Sequence, residues 1–583
     1  MEIPSSTRRS SRGQHEFTHS PGRGQGIFGS VGRGGLALRL AAEPDYDEPS
    51  IEPTREELAK FAQQESELLI DSHAKAAASI TERSRLLSNH SLYGAAATDD
   101  SNTDTDSLEQ VKDISNAWEQ AINNGEVHTT VHREVIYLAK SSVPLTLTFL
   151  LQYSLTVASV FSVGHLGKTE LGAVSLASMT ANITGFAMIQ GLATCLDTLC
   201  AQSYGAGSFH QVGEYFQKGM LMIMAFFVPI GVFWVYSAPV LNYIVEDEKL
   251  VSLAVQYLVI IMLSIPAYIA FECGKRFLQA QGIFHATTAV LVICAPVNAI
   301  LNYVLVWSPS IGLGFVGAPL AVTISTWLMA IMLLLFVAFV DGKKCWGGCS
   351  MKVFQRWGDM IRLAIPGVIM IEAEFLAFEI LTLASSRFGT TALAAQSVIT
   401  TLMSVLYQVP FAVGIGASTR VANFVGASLT ESAKTTTLVS IVLSVLIGAV
   451  DCSVCYYFRY QIGSAFSNDD DVIELVAKLV PTIMCCHFFD APCAILAGLL
   501  RGVGRQSVGG YLNLAVYYIL GVPLSLAFAF LWGYELLGLW IGIFFGLVIV
   551  AGSEAIYLYY CNWDKIIEEA EQRKQRSTED SLA

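Results

Sequence analysis

Between positions 141 and 563, this 583-residue chain carries twelve apolar runs, centred near 143–163, 176–200, 217–239, 250–270, 285–306, 318–340, 361–385, 393–418, 435–456, 474–499, 509–530 and 536–558. Each holds about 20 residues, the length a helix needs to cross about 30 Å of hydrocarbon. Backbone groups find no water at that depth, so such runs must close their own hydrogen bonds as helices. The reading is an all-α polytopic membrane protein with 12 transmembrane helices. Only 14% of the residues are charged, against roughly 25% in a soluble domain. The net charge of -14 comes mostly from the N-terminal and C-terminal tails, so it describes the ends. No basic field suggests nucleic acid, and no loop suggests nucleotide binding. The twelve cysteines have no metal-like pairing, so neither a metal nor another cofactor is expected.

The ends differ from the body. Residues 1–135 mix Ser, Arg, Gly, Asp and Glu, with an acidic, serine-rich block at 98–110 that reads as disorder. Met1 opens an arginine-containing stretch with no apolar core, so no leader is expected. Glu82, Leu86 and Leu87 form an acidic dileucine pattern of the kind clathrin adaptors read on cytosolic tails. That points to a vacuolar or endosomal membrane, with the plasma membrane as the alternative. Basic residues of the loops and adjoining helix ends divide twelve against five between the two faces, which places both termini in the cytosol. The chain then divides into a tail (1–135), a six-helix bundle (136–342), a cytosolic linker (343–360), a second six-helix bundle (361–560) and a cytosolic C-terminal tail (561–583).

The halves repeat. Gly167-Lys168-Thr169-Glu170-Leu171-Gly172-Ala173 recurs as Gly389-Thr390-Thr391-Ala392-Leu393-Ala394-Ala395, and Tyr204-Gly205-Ala206 recurs as Val425-Gly426-Ala427. The offset from Gly167 to Gly389 spans six helices, and that from Gly205 to Gly426 differs from it by a single position. An even number gives both halves one orientation and an axis along the membrane normal, a symmetry of transporters that rock about a midplane site. The seventh run carries Glu372, Glu374 and Glu379. Ionised carboxylates at that depth are costly, so they face a bundle interior or a watery cavity and often serve ion movement. Glu372 and Glu379 share a helical face, whereas Glu374 and Glu379 stand about 140° apart, so the three need not enter one cavity.

An ordered set of motifs over about 144–563 resembles the multidrug and toxic compound extrusion family, in its eukaryotic, fungal branch. In the first half these are Gln152, Val163-Gly164-His165-Leu166-Gly167-Lys168, Asn182, Gly185, Gly191 and the run from Asp197 to Ala206. Arg276-Phe277-Leu278-Gln279-Ala280-Gln281, Pro296, Asn302-Tyr303 and Gly317-Ala318-Pro319-Leu320-Ala321 follow. In the second half come Arg420-Val421-Ala422-Asn423, Gly426-Ala427 and Leu500-Arg501-Gly502-Val503-Gly504-Arg505-Gln506.

The resemblance implies two pseudo-symmetric six-helix bundles in a V around a central cavity. It implies export of organic cations, xenobiotics or metabolites in exchange for protons, the proton being favoured over sodium. Proton coupling and solute binding fall on Glu374 and Glu379, with a further acidic position on Asp490. The acidic position that animal relatives carry in helix eight falls on Thr401, which departs from their cation site. Gln152, Asn182 and Gln202 could line the cavity or satisfy neighbouring helices, and Tyr407 and Gln408, beside Pro410, could supply a polar wall. The partners expected are small organic solutes and membrane lipid, with the chain acting as a monomer. A lipid or lipid-linked-sugar flippase is the competing function. A non-transporting receptor or scaffold is a third reading, and the intramembrane carboxylates argue against it.

Overall fold

The computed structural model describes residues 128–582 except 165, 246, 349–350, 356 and 468. The Glu82, Leu86 and Leu87 pattern and nearly all of the N-terminal tail lie outside the described residues. Eleven helices are long and apolar enough to cross a membrane: α1 (Val131–Gly164), α2 (Thr169–Gly205), α3 (Phe209–Val235), α4 (Glu248–Ala280), α5 (His285–Trp307), α6 (Gly314–Phe339), α8 (Thr390–Gly426), α9 (Thr430–Tyr457), α10 (Asp470–Gly502), α11 (Gln506–Leu531) and α12 (Glu535–Tyr560). The remaining long helix of the bundle, α7 (Gly358–Ser385), has 28 residues and carries the three glutamates within its span. A final helix, α13 (Trp563–Leu582), follows.

Helices α2 and α8 have equal lengths, as do α4 and α10, and each pair occupies equivalent places in the two halves. Short helices at Ala238–Ile244 and Arg459–Phe466 stand at matching places, after the third and ninth spans. Even turn geometry repeats, with Gly282 at φ +77° and Gly504 at φ +75°. There the left-handed backbone favours glycine. One buried apolar cluster covers 163–364 and another 373–570, with one exchange each way. Leu138 of α1 joins the second core, and Ala422 of α8 joins the first.

The exchange shows where the halves interlock. At the face carrying the described termini, α2 and α8 touch backbone to backbone. Gly205 lies against Asn423, and Gly426 lies against Gln202. No Cβ could be added at either glycine without overlap. Gly191 against Val368 and Gly367 against Thr194 extend the α2–α7 contact. The polar contacts between halves gather toward this same end. They include Thr198 Oγ1 to the Arg501 carbonyl (2.5 Å), Gln202 Nε2 to the Gly502 carbonyl (3.0 Å) and Glu134 to Arg420. The halves are therefore sealed at the terminal face and part toward the other, forming the V.

Two boundaries differ from the hydropathy reading. Helix α1 begins at Val131, ahead of residue 136, because Glu134 is fully buried against Arg420 of α8. Residues 563–582 form a docked helix where a tail was read. Trp563, Ile566 and Ala570 are buried in the second core.

Candidate functional site

Where the halves meet, a buried charge network crosses from one to the other. Glu272 of α4 is fully buried and holds Lys275 (2.7 Å) and Arg276 (2.6 Å), one turn along its own helix. Gln152 Nε2 donates to the same carboxylate at 3.3 Å. Arg276 also pairs with Asp197 of α2 at 3.1 Å, and Asp197 meets Arg501 of α10 at 3.5 Å. Asp197 is thus the carboxylate shared by one arginine from each half. Four basic residues counted toward the terminal face, Lys275, Arg276, Arg420 and Arg501, are buried partners of this kind and not loop charges.

An aromatic layer covers the network. Phe149 of α1 packs against Phe411 of α8 at 5.0 Å, and Tyr407 stacks on Phe411 at 5.6 Å. The Lys275 ammonium lies 5.2 Å from the Phe149 ring centre, a favourable setting for a desolvated cation. Beyond this layer, in the second half, Glu374 of α7 is half-buried beside the Tyr407 hydroxyl. Asp490 and Arg501 of α10 are its charged neighbours. Asp490, 3% exposed, is 3.6 Å from His487 Nδ1, and His487 Nε2 reaches Asp451 of α9 at 3.2 Å.

The expected site residues thus separate. Glu374, Tyr407 and Asp490 come together. Glu379 is half-buried farther along α7, with no hydrogen bond or ion pair among the described residues. Glu372 points elsewhere. Both its oxygens are buried without a hydrogen-bond partner, and Tyr518 of α11 is its titratable neighbour. Gln152 reaches the first-half network, while Gln408 bonds back to the Ser404 carbonyl at 2.7 Å. Asn182 is exposed at the start of a π turn, Asn182–Phe186. Gln202 belongs to the sealed seam and borders a cavity of about 480 Å³ beneath α13.

Sequence reasoning missed Glu272, His487 and Glu554. The first had a visible signal, an acid three and four residues before Lys275 and Arg276 on one helical face. Glu554, a lone acid in the apolar run of α12, had one too, since such a group marks function by default. Among the described residues, no group of three His, Cys, Asp or Glu side chains is arranged to hold a metal ion. The halves are chemically unequal. Buried first-half acids Glu134, Glu272 and Asp197 all have close basic partners. In the second half Glu372, Glu374, Glu379 and Glu554 form no ion pair among the described residues.

The MatE family model matches this chain twice, over residues 144–304 and 366–527, once in each half. An uncharacterised transporter of Saccharomyces cerevisiae is 45% identical over 453 residues, covering 78% of this chain and 65% of the relative. The chain therefore spans just under two thirds of that relative's length. An uncharacterised transporter of Schizosaccharomyces pombe is 42% identical over 441 residues, covering 76% of this chain and 82% of the relative. The crystal structure of the eukaryotic MATE transporter AtDTX14 matches with a TM-score of 0.72 at 30% identity, over 76% of this chain and 99% of that one. Sequence, internal duplication and fold agree: this chain belongs to the multidrug and toxic compound extrusion family of secondary transporters.

Proposed function

We propose that the protein exchanges protons for organic solutes, cationic ones among them, moving the solute out of the cytosol. The observation that carries this reading is the inequality of the halves. A carboxylate held by two cations stays ionised, whereas one that forms no ion pair can alternate between a proton and a cationic solute. Glu374 fits the second description, with the Tyr407 hydroxyl and Asp490 beside it. Competition for one carboxylate makes the two fluxes exclusive without covalent chemistry. Glu379 extends the acidic surface along α7, and Asp490 tunes it.

The solute leaves the cytosol if both termini are cytosolic, an orientation that the distribution of basic loop residues supports. On an acidic organelle, such as a vacuole or endosome, the same orientation loads the lumen; on the plasma membrane it clears the cell. The functional units are the two six-helix bundles, joined by the 343–360 linker, with an adaptor reading Glu82, Leu86 and Leu87 on the tail.

Purified protein in vesicles, given separately imposed proton and sodium gradients and a panel of organic cations, tests the coupling. Glu374→Gln and Glu379→Gln should insert normally and lose at least tenfold in proton-driven uptake, with cation binding weakened most at high pH. Asp490→Asn should lose less, in a solute-dependent way. Wild-type rates and proton dependence in both glutamate variants would remove α7 from the mechanism.

A further inference from the structure

Among the described residues, Glu554 is the fully buried acid whose carboxyl oxygens both lack a hydrogen-bond partner. It lies on α12, and its surroundings explain why. From α11 Gly509 borders it: a Cβ added there would stand 3.3 Å from Oε1, and also 2.9 Å from the Met370 sulfur and 3.1 Å from Leu500 Cδ1. Charged and titratable groups act on it from two helices, Glu374 on α7 and Arg501 and Cys493 on α10. An ionised carboxylate cannot be held there without a partner, so in this sealed conformation Glu554 is a neutral acid.

Arg501 supplies the missing half of the argument. Its Nε and Nη2 have no hydrogen-bond partner, and its nearest carboxylate, Asp197, belongs to α2 of the other half at 3.5 Å. Opening the terminal face carries α2 away from α10. Asp197 leaves with Arg276, to which it is already paired within the first half. Arg501 stays behind with α12, its partner across the seam gone; of the two second-half glutamates that feel its charge, Glu374 and Glu554, Glu554 is the fully buried one. We propose that Glu554 is a proton-binding site of the second half, which loses its proton to balance Arg501 when the seam at the terminal face opens and regains it when the seam closes. The proton leaves the carboxyl oxygen for water entering the opened seam, and no other bond changes. Opening and deprotonation are linked, so each favours the other. Acid then holds the seam shut, and higher pH opens it.

This inference rests on the proton-coupled reading above, and the experiment separates the two. Ser203, which borders the cavity at the seam, is replaced by cysteine. Its labelling by a membrane-impermeant maleimide is followed across pH, normalised to a cysteine placed at exposed Gln572. In the otherwise unaltered chain, labelling should rise several-fold from acid to alkaline pH. With Glu554→Gln added, it should stay low and flat, and proton-driven uptake should fall. If the glutamine variant does not accumulate, Glu554→Met, equally unable to ionise and suited to the apolar pocket, takes its place. A pH response unchanged by both substitutions overturns the proposal for Glu554 while leaving Glu374 in place. A chain whose labelling and transport both ignore pH overturns the proton-coupled reading and this inference together.

Discussion

Glu134 shows what a buried acid looks like when its work is to hold helices together. Its carboxylate is fully buried and bonded to Arg420 Nη2 at 3.0 Å and Nε at 3.2 Å, to Thr129 Oγ1 at 2.6 Å and to Thr436 Oγ1 at 2.9 Å. The guanidinium is sandwiched between the Tyr137 and Phe424 rings, 4.2 and 4.4 Å from their centres. One residue thereby ties α1 to α8 and α9 across the seam. Glu134→Ala leaves Arg420 buried without its carboxylate, which should cost about 3–5 kcal/mol. The check is the melting temperature of the purified protein; an unchanged value would show that the network adapts. No local pattern reveals such a pair, because its members lie 286 residues apart in sequence. Glu374 and Asp490 were legible as acids at bilayer depth, and the resemblance gave them a role. Their company, Tyr407 and Arg501, follows only from how α8 and α10 turn against α7.

Helices were the most legible level, since an apolar run of about 20 residues, long enough to cross the bilayer, has few alternatives. Helix α7 is the instructive case. It is the one long helix of the bundle that fails a plain test of apolarity, because of the acids that make it interesting. Residues 561–583 read in sequence as a charged tail, yet Trp563, Ile566, Ile567 and Ala570 of α13 recur on one face at helical spacing. That face docks on the second core, and the polar edge straps the first half. Arg573 Nη2 donates to Gln202 Oε1 at 2.9 Å and Lys574 Nζ to the Ala206 carbonyl at 3.0 Å. Ser428 donates to Glu571 at 2.7 Å, and Arg505 pairs with Glu569 at 2.9 Å. Of these, only the bonds to Gln202 and Ala206 cross the seam; at about 0.5–1.5 kcal/mol each, ending the chain after Asn562 should favour the opened seam by about tenfold. Labelling of a cysteine at position 203 measures this; an unchanged rate would mean that α13 rests on the seam without restraining it.

At the scale of the whole molecule, the repeated glycines read from sequence gain a mechanical meaning. The same offset that relates Gly205 to Gly426 relates Gln202 to Asn423, so the two close contacts are symmetry copies about the axis between the halves. A methyl group at either glycine overlaps backbone in the sealed form, and the overlap ends once the helices separate. Gly205→Ala and Gly426→Ala should each disfavour the sealed form by about 1–3 kcal/mol. Faster hydrogen exchange at the ends of α2 and α8 would register the change, and unaltered exchange would count against it. Such a shift changes the ratio of the two forms by roughly 5- to 150-fold. Solute affinity observed from one side of the membrane scales with the fraction of molecules open to that side. Substitutions at these two glycines would therefore tighten apparent affinity on the terminal side and weaken it on the other, without altering one contact to the solute.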